Sequence, residues 1–94
     1  MIVLRSTYLD NDESLKTHLD DHLTWVDDGY ARGWFVASGL RDGGVGAAIL
    51  AQGVGKGPVG EFLALDPFVV NGIAEYEVIE FEAVWTVPQL AVFS

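Results

Sequence analysis

The chain has 94 residues and a mass of 10.2 kDa, and this size predicts a single domain over residues 1–94. Half of the residues are hydrophobic and only 20% are charged, so the composition is too apolar for an intrinsically disordered chain. A net charge of -9 argues against nucleic acid and anionic membranes as partners, and the absence of cysteine excludes disulfides, iron–sulfur clusters, thiolate zinc sites and cysteine nucleophiles.

The first segments predict a strand followed by a long amphipathic helix. Residues 2–8 are mostly β-branched or aromatic, which is typical of a strand. We expect Asp10 or Asp12 to cap a helix from about Glu13 to Arg32. A helical wheel places an acidic face, interpreted as solvated surface, opposite an apolar face that comprises Leu15, Leu19, His22, Leu23, Val26 and Tyr30.

Two apolar runs then predict a β-hairpin. They are residues 34–39 and 45–51, and the turn sequence Arg41-Asp42-Gly43-Gly44 separates them. Neither run alternates polar with apolar side chains, so both faces of these strands are expected to be covered.

The rest of the chain predicts a short helix and a final strand. Pro58 suits the first turn of the helix, and Asp66, which precedes a proline, is expected to end it. The strand is expected over about residues 74–86, with a bulge at Val78-Ile79 because the acids on either side of this point differ in parity. The apolar tail over residues 87–93 is expected to dock on another surface.

The order strand, helix, strand, strand, helix, strand predicts an α+β fold of the ferredoxin-like βαββαβ type. Two helices would cover one face of an antiparallel sheet, with a cleft between them and the sheet. The other face would be bare although its strands are apolar. We therefore expect a homodimer through this open sheet face, in the arrangement of a dimeric α+β barrel.

Few titratable residues are candidates for chemistry in the cleft. Of the two histidines, His18 and His22, the second lies within the apolar face of the first helix. It is either a satisfied core residue or a general base, and a base needs a carboxylate partner. Asp66 is the candidate partner because its neighbours are apolar, although an aspartate before proline is also an ordinary helix terminator. The two histidines lack the sequence context of a zinc motif, so no metal site is expected.

Position suggests which residues line the cleft. Trp25, Trp34 and Phe68 would hold an apolar ring, and Arg5 or the backbone at Ser38-Gly39 would hold an anionic group. Both polar contacts have a structural alternative, since Arg5 can form an ordinary ion pair and Ser38-Gly39 can simply end a strand.

Several segments together match a known family. The main signature is His22-Leu23 in the first helix combined with Asp66-Pro67-Phe68 after the second. On these residues the chain resembles the YCII-related (YciI-like) family of small dimeric α+β barrel proteins over nearly its whole length. Further matching segments are Ala37-Ser38-Gly39, residues 44–51, residues 74–81 and Val87-Pro88-Gln89-Leu90.

The resemblance implies that His22 and Asp66 form the active-site pair of a small-molecule enzyme. The family is similar in fold to muconolactone isomerases, and one characterised branch eliminates chloride from a chlorinated hydroxyquinol, while most members have no assigned reaction. This chain departs from the family where Leu40 follows Ser38-Gly39 in place of proline, and in the glycine-rich segment 53–60. Both departures bear on the shape of the pocket and therefore on the substrate.

The leading hypothesis is a lyase or isomerase that needs no metal or organic cofactor. His22, oriented by Asp66, would move a proton during elimination or isomerisation of a cyclic or unsaturated organic acid or phenol. The alternative is a non-catalytic dimeric module that binds a small organic ligand without turnover. A third hypothesis, metal-dependent oxygen chemistry, requires bound metal that depends on His18 and His22. The sequence up to Arg5 lacks the pattern of a signal peptide, so a cytoplasmic location is expected.

Overall fold

A computed structural model describes residues 1–91 of the chain. Its elements in chain order are β1 (Ile2–Tyr8), α1 (Asp12–Ala31), β2 (Phe35–Leu40), a 3₁₀ turn (Asp42–Gly44), β3 (Ala47–Ala51), α2 (Lys56–Leu63), α3 (Pro67–Val70), β4 (Ala74–Glu80) and α4 (Pro88–Ala91). The four strands form one antiparallel sheet with the order β2-β3-β1-β4. The predicted ferredoxin-like α+β fold is confirmed, with α3 and α4 as short additions.

The hydrophobic core lies between the sheet and the helices α1 and α2. Side chains of β1 and β3 alternate between the two faces of the sheet, and Ile2, Leu4 and Ile49 are buried on the helix side. They pack with Trp25 of α1 and with the apolar side of α2 that the sequence predicts. The indole N–H of Trp25 donates to the carbonyl oxygen of Phe62 at 2.9 Å, which ties the two helices together.

Helix α1 is rotated relative to the predicted wheel. Trp25 and Gly29 are buried, whereas Leu19 and Leu23 of the predicted apolar face remain exposed. A Cβ atom at Gly29 would overlap the ring of Phe35, so the missing side chain lets α1 approach β2 closely. Hydrophobic periodicity does not reveal this contact because glycine carries no hydrophobic signal.

The cap of α1 is Asn11, so the prediction of Asp10 or Asp12 is wrong. The side-chain oxygen of Asn11 accepts a hydrogen bond from the backbone N–H of Ser14 at 3.0 Å. Asp10 instead accepts from the backbone N–H of Asn11 and from the hydroxyl of Ser14, at 2.8 and 2.9 Å. The two side chains together satisfy the start of the helix.

Strand β4 pairs with β1 in an unbroken register, so the predicted bulge at Val78-Ile79 is wrong. The strand ends at Glu80, short of the predicted end at Thr86, so Glu82 lies outside the sheet and Glu80 is the exposed last residue of the strand. The side chains of β4 therefore alternate between the two faces of the sheet along the whole strand. The irregularity of this sheet lies instead in β2, where the pairing with β3 shifts between Phe35 and Ala37.

Within residues 1–91, the face of the sheet opposite the helices is uncovered. Arg5 and Glu77 form an ion pair of 3.7 Å on this face, between exposed side chains. Beside it lies a shallow apolar depression whose lining includes Val3, Ala37, Ala48 and Leu50.

The segment after β4 is tied to Met1 by two backbone hydrogen bonds of Phe81, and most of its large apolar side chains are exposed. Trp85 is 93% exposed, and Val84 and Val87 are exposed as well. The predicted docking of the apolar tail is therefore not seen within this part of the chain, and its last residues, Val92 and Phe93, lie outside the described residues.

Candidate functional site

Asp66 is fully buried and begins α3. Its carboxylate oxygen Oδ1 accepts from the backbone N–H of Phe68 at 3.0 Å, and Pro67 occupies the start of the helix. The prediction that Asp66 ends the second helix is wrong, since α2 already ends at Leu63 and Asp66 starts a new one. An ionised carboxylate in such a place needs further donors.

His22 of α1 supplies one of these donors. Its ring nitrogen Nδ1 lies 2.7 Å from Oδ1 of Asp66, across 44 residues of sequence, and the side chain of Asp66 has no exposure. Because an ionised carboxylate only accepts hydrogen bonds, Nδ1 carries the proton in this pair. The other ring nitrogen, Nε2, is then left as an acceptor in neutral His22.

Tyr76 of β4 supplies the other donor. Its hydroxyl donates to Oδ2 of Asp66 at 2.7 Å. Burial, followed by the charge of Asp66 and this hydrogen bond, raises the pKa of Tyr76 far above its usual range, so the hydroxyl stays protonated. Both carboxylate oxygens of Asp66 are thus held in place.

Aromatic rings fix the plane of the imidazole. The ring of Phe68 stacks on His22 with a centroid distance of 3.9 Å and an interplanar angle of 3°. The indole of Trp25 lies 5.8 Å from the imidazole at an angle of 26°. Stacking and the hydrogen bond to Asp66 together leave His22 little rotational freedom.

A cavity of about 510 Å³ opens beside His22 between α1 and the sheet. Its walls are mainly apolar, and polar side chains are contributed by Tyr8, His22 and Ser38, with Asp12 and Lys16 also on the lining. The apolar lining includes Leu15, Leu19, Leu23, Val26, Leu40, Ile49 and Phe68. Leu19 and Leu23, which the rotation of α1 leaves outside the core, thus line this cavity.

The imidazole of His22 forms part of the wall of this cavity. Within residues 1–91, the one buried side-chain nitrogen or oxygen that lacks a hydrogen bond is Oε1 of Gln52. Nε2 of His22 makes no hydrogen bond in that part of the chain, and the residue is 8% exposed on the cavity wall. A small molecule in the cavity can therefore reach Nε2, while Asp66 holds the opposite side of the ring.

Four of the predicted site residues meet at the cavity. His22, Ser38, Gly39 and Phe68 line it, and Asp66 lies directly behind His22. The hydroxyl of Ser38 lies 2.7 Å from the hydroxyl of exposed Tyr30.

The predicted placement of Arg5, Trp25 and Trp34 on the cleft is wrong. Arg5 points to the opposite face of the sheet, beside Glu77. Trp25 is buried in the core. Trp34 packs at the edge of the core, where the guanidinium of Arg32 lies 5.0 Å from its ring centroid. Sequence position did not reveal which side of the sheet or helix each side chain would occupy.

Tyr8, Tyr76 and Lys16 are the site residues that sequence reasoning missed. A signal existed for Tyr76, since it stands between Glu75 and Glu77 and period two then turns it away from the exposed face. For Tyr8 and Lys16 the sequence offered no comparable signal, because their places on the cavity depend on how α1 sits over β1.

The described part of the chain contains neither a cluster of metal ligands nor a helix that could span a membrane. Among residues 1–91, no three histidine, aspartate or glutamate side chains come close enough together to bind a metal ion. None of the helices α1 to α4 combines the length and the apolar character that a transmembrane helix requires.

The fold is similar to that of a solved enzyme structure. That structure is 5-chloro-2-hydroxyhydroquinone dehydrochlorinase (TftG) from Burkholderia phenoliruptrix AC1100, in complex with 2,5-dihydroxybenzoquinone. The match has a TM-score of 0.65 and 20% sequence identity, and it covers 87% of this chain and 94% of that chain. At this identity the likeness supports the fold alone. No family model and no curated protein matches the sequence.

Proposed function

We propose that the protein is a YciI-like enzyme that moves a proton on a small organic molecule with its own side chains. The substrate would be a cyclic or unsaturated organic acid or phenol, and the reaction an elimination or an isomerisation. The observation that carries the proposal is the 2.7 Å contact between His22 and buried Asp66 at the wall of an apolar cavity.

The geometry supports His22 as a general base. Nε2 faces the cavity and accepts the proton, while Asp66 stabilises the imidazolium that forms through its contact with Nδ1. The hydrogen bonds from Phe68 and Tyr76 keep the carboxylate in place during the transfer. A base held in this way typically contributes about 10²-fold to 10⁴-fold to a reaction rate.

The structural neighbour supports the choice of substrate class. Its name states that it is a dehydrochlorinase of a chlorinated hydroxyquinol and that it binds 2,5-dihydroxybenzoquinone. A ring of this size fits a cavity of about 510 Å³, and the mainly apolar walls suit its faces. We therefore propose six-membered rings that carry hydroxyl or keto oxygens as the first substrates to examine.

A second candidate function is a binding module without turnover. It is favoured by the 8% exposure of His22, since a nearly enclosed imidazole also suits a structural role beside a ligand pocket. In that case the cavity would bind the same rings, and no bond of the ligand would change.

We also propose that the protein is a homodimer through the open sheet face. The apolar depression over Val3, Ala37, Ala48 and Leu50 is the surface that a second copy would cover. The ion pair of Arg5 with Glu77 lies beside it, where the same groups of the second copy can extend it into a network.

The function is tested with purified protein, a chlorinated hydroxyquinol and 2,5-dihydroxybenzoquinone. Chloride release reports turnover, and calorimetric titration reports binding. We expect His22→Gln to lower turnover by about 10²-fold or more while the quinone still binds. His18→Gln is the matched control, since His18 does not line the cavity, and it should retain the parent rate.

The outcomes separate the two candidate functions. Turnover that survives His22→Gln contradicts the general-base role. Binding of the quinone without chloride release, or any other change in the rings tested, favours the binding module. A parent protein that binds none of these rings contradicts both functions.

A further inference from the structure

Tyr8 is a polar residue of the cavity whose role the His22–Asp66 pair does not explain. It is the last residue of β1 and points to the helix side of the sheet, as Leu4 does. Its ring meets Phe68 edge-on, with a centroid distance of 5.9 Å and an interplanar angle of 88°. Since Phe68 stacks on His22, the tyrosine and the histidine contact the same ring and face the same cavity.

The hydroxyl of Tyr8 has no protein partner in the described chain. Of the three tyrosines, Tyr30 shares a hydrogen bond with Ser38, and Tyr76 donates to Asp66. The backbone N–H of Tyr8 donates to the carbonyl oxygen of Val45 at 2.8 Å, but its hydroxyl makes no hydrogen bond within residues 1–91 and is not a buried unpaired atom. A phenol that is half-buried on an apolar wall and still open to the cavity is placed to bond to a molecule inside it.

The environment keeps this hydroxyl a donor. Burial, and then the charge of Asp66, raise the pKa of Tyr8 above its usual value. His22 and Tyr76 belong to the same cluster, and Asp12 and Lys16 are the other charged groups of the cavity lining. The raised pKa keeps the proton on Tyr8 at neutral pH, so its hydroxyl can donate a hydrogen bond into the cavity.

Resting on the proposed function, we propose that Tyr8 is the hydrogen-bond donor that holds the ligand oxygen on which negative charge develops. In this step an O–H bond, or a C–H bond next to a carbonyl, breaks in the ligand. The proton goes to Nε2 of His22, and the electron pair ends on the oxygen that faces Tyr8, which keeps its own proton. With His22 as the proton acceptor and Tyr8 as the hydrogen-bond donor, the site favours phenols and enolisable ketones over rings that lack such an oxygen.

Ser38 and Lys16 are less suited to this role. The hydroxyl of Ser38 is already engaged with Tyr30 at 2.7 Å. Lys16 is an exposed side chain on α1, where water competes for its ammonium group. Tyr8 is the donor on the wall that also contacts Phe68, next to the imidazole.

The test compares two probes that share a ring and differ in one oxygen, 4-nitrophenol and nitrobenzene. Binding is measured at a pH below the probe's own pKa, and the nitrophenolate absorbance reports whether His22 has taken the proton. We expect the parent to bind both probes and to ionise 4-nitrophenol. Tyr8→Phe should weaken the binding of 4-nitrophenol roughly 10-fold to 100-fold and remove the nitrophenolate band. The affinity for nitrobenzene should be unchanged.

Two further variants make the result specific. Thr7→Val removes the neighbouring hydroxyl, which contacts Arg41 at 3.2 Å and does not line the cavity, and it should bind both probes as the parent does. With His22→Gln, bound 4-nitrophenol should show no nitrophenolate band, and nitrobenzene should bind as it does to the parent.

The failure of this inference differs from the failure of the proposed function. If Tyr8→Phe weakens both probes equally, or neither, while His22→Gln still removes ionisation, the role of Tyr8 is overturned and the base remains. If the parent ionises 4-nitrophenol and His22→Gln does so too, the general base itself is wrong. If the parent binds neither probe, both proposals are overturned.

Discussion

Replacing Tyr76 by phenylalanine removes one of the three donors that hold buried Asp66. The hydroxyl of Tyr76 lies 2.7 Å from Oδ2, and within residues 1–91 this oxygen has no other hydrogen-bond donor. A hydrogen bond to a charged group contributes roughly 1.5–3 kcal/mol, so we expect the free energy of unfolding at neutral pH to fall by that amount. The ring itself stays, and its packing on the core is retained.

The free energy of unfolding of the parent and that of Tyr76→Phe should also depend differently on pH, which provides a second, independent test. The folded protein keeps the proton of Tyr76 because its pKa is raised, whereas the unfolded chain loses it near pH 10. The stability that this tyrosine contributes is complete below about pH 10 and is lost as the pH rises further, by about 1.4 kcal/mol per pH unit. Tyr76→Phe lacks this titration, so its gap to the parent should narrow above about pH 10.

The assay is urea unfolding followed by tryptophan fluorescence, at neutral pH and in steps up to about pH 11. Tyr30→Phe is the matched control, because it removes a hydroxyl whose hydrogen bond to Ser38 is exposed, and it should cost about 0.5–1 kcal/mol. The reasoning is refuted if Tyr76→Phe is as stable as the parent at neutral pH. If the difference in the free energy of unfolding has the expected size at neutral pH but stays constant up to about pH 11, only the raised pKa of Tyr76 is refuted.

The remaining predictions concern the packing of α1 and the open sheet face. Gly29→Ala should destabilise the protein by about 1–3 kcal/mol, because the added methyl overlaps the ring of Phe35. Gly60→Ala in α2 meets open space and should stabilise it by about 0.5–1 kcal/mol; equal effects of the two alanines in urea unfolding would contradict the close approach of α1. Val3→Asp should turn a dimer into a monomer in light scattering, and a parent that is already monomeric would exclude the proposed interface.

Hydrophobic pattern and turn chemistry were sufficient to predict the fold and the order of its elements. The long apolar stripe of α1, the two runs of the hairpin and the short helix with Pro58 in its first turn each match an observed element. The errors are local and have physical causes. The bulge was expected because Glu80 and Glu82 were placed well inside β4, whereas Glu80 is its exposed last residue and Glu82 lies beyond it.

The centre of the site was predictable because two residues break the pattern around them. His22 is a histidine on an apolar face, and Asp66 is an acid in an apolar segment, so each needs a partner that its neighbours do not supply. The structure places them 2.7 Å apart. The walls of the cavity were less predictable, since Arg5 and Trp34 carry suitable side chains but the sequence does not show which side of the sheet they face.

Asp66 connects the stability of the fold with the chemistry of the site. The same carboxylate caps α3, accepts from Tyr76 and orients His22, so its removal leaves three donors without their acceptor in the interior. At roughly 1–3 kcal/mol for each such group, Asp66→Ala would consume much of the stability of a small domain. His22 and Tyr8 differ in this respect, because Nε2 and the phenol oxygen face the cavity and serve no protein partner within residues 1–91. Substitutions of His22 or Tyr8 that remove these two atoms can therefore alter the chemistry of the site, while the hydrogen bonds that Asp66 accepts from Phe68 and Tyr76 continue to stabilise the fold.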